Sequence, residues 1–153
     1  MSKKLGYRGY ISSRPIRGTS FPHRVQNLVV RDYADRKKLV YKLSATEYAM
    51  PGCYMMLSGI LEELATLEGI ILFSLFTLPK RQDKRFKIYH QIINQELQLH
   101  AALEDMILSQ EDDINEFEDM IKVVNTLPYT PMEGYYSKSK ASPFPSDFLA
   151  LNL

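Results

Sequence analysis

Hydroxyl, guanidinium and carboxylate side chains recur at three places where the chain turns from apolar to polar, and their joint chemistry is that of holding an anion. The first place carries Ser12, Ser13, Arg14, Arg17, Thr19 and Ser20; the second carries Ser44, Thr46 and Glu47; the third carries Thr77 and Lys80. Arginine meets a phosphate or carboxylate with a planar fork of donors, lysine with a point charge, and hydroxyls complete the set. Arg14 and Arg17 are therefore expected to hold an anionic group, with Glu47 accepting from ligand hydroxyls. The competing account is that all of these are ordinary helix caps and solvated charges. Glu47 as a general base would need a partner, and neither a histidine nor a second carboxylate stands at a supporting spacing, so the catalytic residues are unknown. The single cysteine, Cys53, lies near an expected helix start, where a thiol pKa can fall, but beside Met55, Met56 and Leu57 it reads as a buried inert thiol. His90 and His100 read as packing or surface residues. No Cys/His grouping has zinc spacing, and neither a metal nor a cofactor is expected.

These loops need a frame, and its centre is the run Gly69 to Lys80, whose stretch Ile70 to Phe76 is almost wholly apolar. It is too short to span a membrane and closes on Pro79, so it reads as a strand buried on both faces of a parallel sheet. Leu5 to Ser12 is a candidate first strand. The turn formers of Ser13 to Ser20 lead into a helix over Phe21 to Arg36, with Val25, Leu28, Val29 and Tyr33 at helical spacing. Lys38 to Leu43 reads as the second strand and Ser44 to Met50 as a loop. A helix from Pro51 to about Leu67 follows, ended by Gly69. Lys80 to Lys87 reads as a charged connector before a third helix that ends near Gln95. Leu97 to Leu103 alternates as a fourth strand does; a single helix from Asp83 to Leu108 is the rival. A last helix begins at Ser109 or Gln110. The expected fold is α/β: a three-layer domain over residues 1–127 with a mostly parallel four-stranded sheet. Residues 128–153, with Pro128, Pro131, Pro143 and Pro145 among scattered tyrosines and phenylalanines, read as an extended arm. So aromatic an arm is expected to pack on a neighbouring copy, giving a homo-oligomer.

With 153 residues, 45% hydrophobic and 24% charged, wholesale disorder is excluded. The net charge of +1 hides an asymmetry: up to Lys42 the only acids are Asp32 and Asp35, whereas Glu96 to Asp119 holds acids and neither lysine nor arginine. That pattern suits a basic face for an anionic ligand, or opposite ends that attract across a subunit contact. One cysteine excludes an internal disulfide framework. With no apolar signal region after Lys3 and Lys4, a cytoplasmic location is the expectation.

The run Leu43-Ser44-Ala45-Thr46-Glu47-Tyr48-Ala49-Met50-Pro51-Gly52-Cys53, followed by Leu57, Ile60 and Leu61 and then by Gly69 to Lys80, resembles the serine-resolvase catalytic domain. So does the opening Gly9-Tyr10-Ile11-Ser12-Ser13-Arg14. The resemblance covers about two thirds of the chain and implies a resolvase-like or flavodoxin-like layout. Its catalytic residues do not carry over. Ser12 stands where the family has an arginine, Arg14 where it has the nucleophilic serine, Met50 where it has the arginine before Pro-Gly, and Phe76 to Lys80 replace Asp-Arg-Leu-Gly-Arg. Strand exchange needs a serine among arginines that neutralise charge developing on phosphate. The whole chain is also similar to the sporadic carbohydrate cluster proteins, through Gly6 to Arg14, Thr46 to Gly52 and Ser74 to Pro79. That resemblance implies a place in bacterial surface-polysaccharide (O-antigen-type) or unusual-sugar synthesis, a pathway and not a reaction; taken with the polar loops, the expectation is an accessory or ligand-binding protein of that pathway, binding an anionic sugar or nucleotide sugar. Two alternatives stay open: a small sugar-modifying enzyme of the same pathway, and a resolvase-like nucleic-acid-binding domain without catalysis. Against nucleic acid stand the near-zero net charge and the missing DNA-binding module.

Overall fold

A computed structural model of the chain describes residues 6–127. Among these, five strands form one sheet in the order β2-β1-β3-β4-β5. In chain order the elements are β1 (Tyr7–Ser12), α1 (His23–Arg36), β2 (Tyr41–Glu47), α2 (Met55–Glu62), β3 (Gly69–Leu72), α3 (Gln82–Asn94), β4 (Gln98–Ala101), β5 (Met106–Leu108) and α4 (Glu111–Thr126). The pairs β1–β2, β1–β3 and β3–β4 are parallel and β4–β5 is antiparallel. β3 is the middle strand, as its uninterrupted burial requires.

Alternation along β3 divides the core. Ile70 and Leu72 face one cluster with Leu57, Ile60, Ile88, Tyr89, Ile92, Phe117 and Ile121; Ile71 and Phe73 face the other with Val30, Tyr33 and Ala34. α1 thus covers one face and α2, α3 and α4 the other, a three-layer α/β arrangement. α1 buries Gln26, Val30, Tyr33 and Ala34, and α3 buries Arg85, Ile88, Tyr89 and Ile92, each a single helical stripe. At the start of α4, Asp113 Oδ2 accepts from the amides of Ser109 (2.9 Å) and Gln110 (3.1 Å), the side-chain capping that its acid-rich first turn suggests.

Several boundaries differ from expectation. The sheet has five strands, not four, because the chain turns back at Asp105 (φ 54°) and lays Met106–Leu108 against β4. The segment Leu97 to Leu103 carries the expected strand, over Gln98–Ala101, and is not part of a long helix. The expected strand Lys38 to Leu43 moves to Tyr41–Glu47, so Ser44, Thr46 and Glu47 belong to β2 and not to a loop. β3 stops at Leu72, and the rest of the apolar run turns into a short 3₁₀ segment, Leu75–Thr77, where Ser74 Oγ accepts from the Phe76 amide. Pro51 precedes α2, which begins at Met55 after a turn that uses positive φ at Gly52 (75°). Most of the connector Lys80 to Lys87 is helical. The arm at 128–153 and the contact expected of it lie outside the described residues. No described helix is long and apolar enough to cross a membrane.

On the α1 side a buried polar chain joins layer to strand. His100 Nδ1 lies 2.7 Å from the Tyr33 hydroxyl and its Nε2 2.9 Å from Gln98 Oε1, which also accepts from the Tyr7 hydroxyl at 3.0 Å. Gln98 Oε1 only accepts, so Nε2 carries the proton and Nδ1 accepts from Tyr33. Burial, with Lys37 nearby and Asp105 opposing it, pushes the His100 pKa from 6.5 down to about 4; burial also raises Tyr33 to about 12. An imidazole held neutral in the folded state charges freely in the unfolded one. Stability from this group is full above pH 6.5 and drains away as pH falls toward 4. The expected loss is roughly 3 kcal/mol at about 1.4 kcal/mol per pKa unit. Urea melts at pH 7.5 and 4.5 measure it, and His100→Gln should flatten the difference. A wild type with equal midpoints at both pH values contradicts the assignment.

Candidate ligand-binding cleft

In an open parallel sheet the crevice beyond the carboxyl ends of the strands, where the strand order reverses, is the place for a ligand. Here the order reverses at β1, whose neighbours β2 and β3 follow it in sequence. Residues leaving β1, β2 and β3 there enclose a cleft of about 450 Å³. The segment after β1 contributes Arg14 and Pro15. The loop after β2 contributes Ala49, Pro51, Gly52 and Tyr54. The segment after β3 contributes Phe76, Leu78, Pro79, Lys80 and Arg81, and Lys84 comes from the first turn of α3.

Four cations line this cleft and no carboxylate does. Arg14 lies across its wall: Nη1 donates to the carbonyls of Cys53 and Met50, and the guanidinium stands 4.4 Å from the Tyr54 ring centroid. Arg81 forms a fork with Asp83, at 3.1 and 2.8 Å. Desolvation pushes the Asp83 carboxyl up, but the charge and hydrogen bonds of Arg81, with backbone amides, outweigh it and hold the group below its ordinary pKa. The backbone of this wall is fixed from below by Arg85, whose Nη1 donates to Pro79 O (3.2 Å) and Lys80 O (2.7 Å). Its other donors grip Glu118 at 2.9 and 2.7 Å, and the Tyr89 hydroxyl donates to the same carboxylate at 2.7 Å. The contact raises the Arg85 pKa and lowers that of Glu118 despite burial.

Of the residues singled out from the sequence, Arg14 and Lys80 line the cleft. Ser12 is buried and its backbone N–H and C=O are both taken by the Gln26 side chain, at 3.0 and 2.8 Å. Ser13 Oγ lies 2.8 Å from His23 Nε2. Arg17 projects at an exposed two-residue turn with Gly18, both at positive φ (51° and 81°), its guanidinium 5.9 Å from the Phe76 centroid. Ser44 Oγ is 2.7 Å from the Tyr41 hydroxyl, Thr77 Oγ1 donates to Ser74 O at 2.7 Å, and Thr46 pairs with Ile11 within the sheet. Glu47 is wholly buried and occupied: Oε1 accepts from the Tyr10 hydroxyl (2.8 Å) and the Leu57 amide (3.1 Å), and Oε2 from the amides of Met56 (3.1 Å) and Tyr48 (3.2 Å). It stands at the N-terminus of α2 in the manner of a capping acid.

Tyr54, Phe76, Arg81 and Lys84 were not singled out from the sequence. Arg81 and Lys84 belong to the charged run Lys80 to Lys87, a readable cluster of cations beside Lys80 at the start of α3; the two rings carried no signal. Among the described residues lining the cleft there is no serine, threonine, cysteine, histidine or acid. The residues that do line it can neutralise an anion and offer ring faces to what the anion is attached to.

The N-terminal catalytic domain of TP901-1 integrase superposes on this chain with a TM-score of 0.56, covering 80% of this chain and 99% of that domain at 13% identity. The likeness is one of fold: the chain has the resolvase-like arrangement of strands and helices. No protein-family model and no curated protein matches the sequence.

Proposed function

We propose that this chain is a ligand-binding protein of carbohydrate metabolism, holding the phosphate of a sugar phosphate or nucleotide sugar in the cleft beyond β1, β2 and β3. The observation that carries the reading is the lining: Arg14, Lys80, Arg81 and Lys84 converge on about 450 Å³ with no acid among them. Two to three such donors on a phosphate, each contributing about 1.5–3 kcal/mol as a charged hydrogen bond, total about 3–9 kcal/mol before the costs of association, so a phosphate alone is expected to bind weakly and the rest of the ligand to add the remainder. The sugar class is supported by the resemblance of Gly6 to Arg14, Thr46 to Gly52 and Ser74 to Pro79 to the sporadic carbohydrate cluster proteins. Calorimetric titration with UDP-glucose tests the reading. Lys80→Ala/Lys84→Ala is expected to weaken binding by about tenfold or more, and to flatten its salt dependence. Equal weak affinity in both proteins would end the proposal. Mass spectrometry of the same mixture separates a binding protein from a small sugar-modifying enzyme, which would leave a changed product.

A second reading takes its support from the fold likeness to an integrase domain: a nucleic-acid-binding domain on which Arg14 occupies the nucleophile position. A salt-dependent mobility shift on mixed-sequence DNA, abolished by the same double substitution, favours that reading over the first.

A further inference from the structure

The cationic cleft does not end at Lys84. Gly52, Tyr54, Pro79 and Lys84 also line a second, larger groove of about 980 Å³ that runs on between α2 and α3. Its walls include Met55 and Gly59 on α2 and Phe86 and His90 on α3, and Met55 is 66% exposed. The volume falls in the range of sites that enclose a drug-sized molecule.

Gly59 lines this groove. It sits inside α2 without positive φ, and a Cβ built there meets nothing within 4 Å. A glycine inside a helix is less favourable than alanine by about 0.8–1 kcal/mol. Neither backbone conformation nor packing within the fold requires it, and the open space above it belongs to the groove.

We infer, on the basis of the reading in the preceding subsection, that the ligand has two parts: its phosphates sit in the cationic cleft and its nucleoside lies along the α2–α3 groove. Charge complementarity fixes the direction. The cleft end holds four cations and no acid, whereas in the groove Lys84 and Lys87 are balanced by Glu62 and Asp83, and Met55 and the Phe86 ring offer apolar surface to an uncharged planar group. The ligand is thereby a nucleoside diphosphate derivative, and a simple sugar phosphate fills only half of the site.

Gly59→Leu fills the groove without touching the cleft lining, and the open space at its Cβ makes it compatible with the fold; Ser58→Tyr, on the neighbouring exposed position, repeats the test. Inorganic pyrophosphate and UDP-glucose are titrated into wild type, both variants and Lys84→Ala, with a thermal melt of each. The wild type is expected to bind UDP-glucose at least tenfold more tightly than pyrophosphate. Either groove variant should lower UDP-glucose affinity to the pyrophosphate level and leave pyrophosphate unchanged, while Lys84→Ala weakens both. If the groove variants bind UDP-glucose as the wild type does, the two-part site is overturned and the phosphate cleft stands. If they alter only the oligomeric state by light scattering, the groove seats another copy and the inference is equally overturned. If the wild type binds neither probe, both the cleft and the groove assignments fall.

Discussion

Glu47→Ala is expected to destabilise the protein by about 3–5 kcal/mol, through buried donors that lose their acceptor at once. The Tyr10 hydroxyl and the amides of Met56 and Leu57 all end on this carboxylate, and Glu47 is 0% exposed. An alanine leaves a cavity too enclosed for those groups to turn to water. A buried unsatisfied donor costs about 1–3 kcal/mol, and the two amides belong to the first turn of α2, which has no other acceptor of its own. Glu47→Gln keeps the volume and one carbonyl but directs an NH₂ at donors, so its cost should be smaller, about 1–2 kcal/mol. Urea denaturation of both variants measures the difference. A loss below about 1 kcal/mol for the alanine variant would mean that the carboxylate is not what holds α2 to β2.

Arg85→Ala should be comparably costly, about 3–5 kcal/mol, because it strands Glu118 as a charge with little access to water. The pair is 10% and 14% exposed, its contact is bidentate, and Tyr89 donates to the same carboxylate. Arg85→Lys should recover only part of the loss, since an ammonium cannot span Glu118 and the two loop carbonyls with one planar fork. Replacing both partners together, Arg85→Met with Glu118→Leu, should recover much of the stability. It should not recover ligand affinity, because the carbonyls of Pro79 and Lys80 remain untied. Paired denaturation and titration experiments separate the two effects. Full affinity in the double variant would show that the cleft wall stands without Arg85.

What the sequence made readable follows from what each signal measures. Apolar runs report burial, so the central place of Ile70 and its neighbours was plain, and the layers followed from it. Burial does not report where a strand stops. Phe73, Leu75 and Leu78 are as buried as Ile71, yet the ladder ends at Leu72, because Ser74 and Glu104 set the next turn: the Ser74 hydroxyl and the Leu75 amide both donate to the Glu104 carboxylate at 2.8 Å. β2 was misplaced for the opposite reason. It is an edge strand on which Leu43 is 58% exposed while Glu47 is buried, so apolar spacing pointed to the wrong half. β5 has three residues, too few for any periodicity. In the cleft, Arg14 and Lys80 could be found from their neighbours in sequence, while Ser12 and Glu47 look the same on paper and turn out to be bonded within the fold. Polar type marks a candidate, and only the partners of each atom decide between ligand and scaffold.

The order of the sheet carries a consequence for the growing chain. β1 meets β2 on one side, but its other edge waits for β3, with Tyr7 opposite Gly69 and Tyr10 opposite Leu72. Until translation has passed that point, the strand that will lie next to the middle of the sheet presents a bare row of peptide groups. Such a nascent fragment is a template for wrong pairing, and closing so long a loop slows the correct one. Any stretch that ends before Leu72 is therefore a chain awaiting its partner, and expression of residues 1–68 alone should give aggregates in place of a smaller fold.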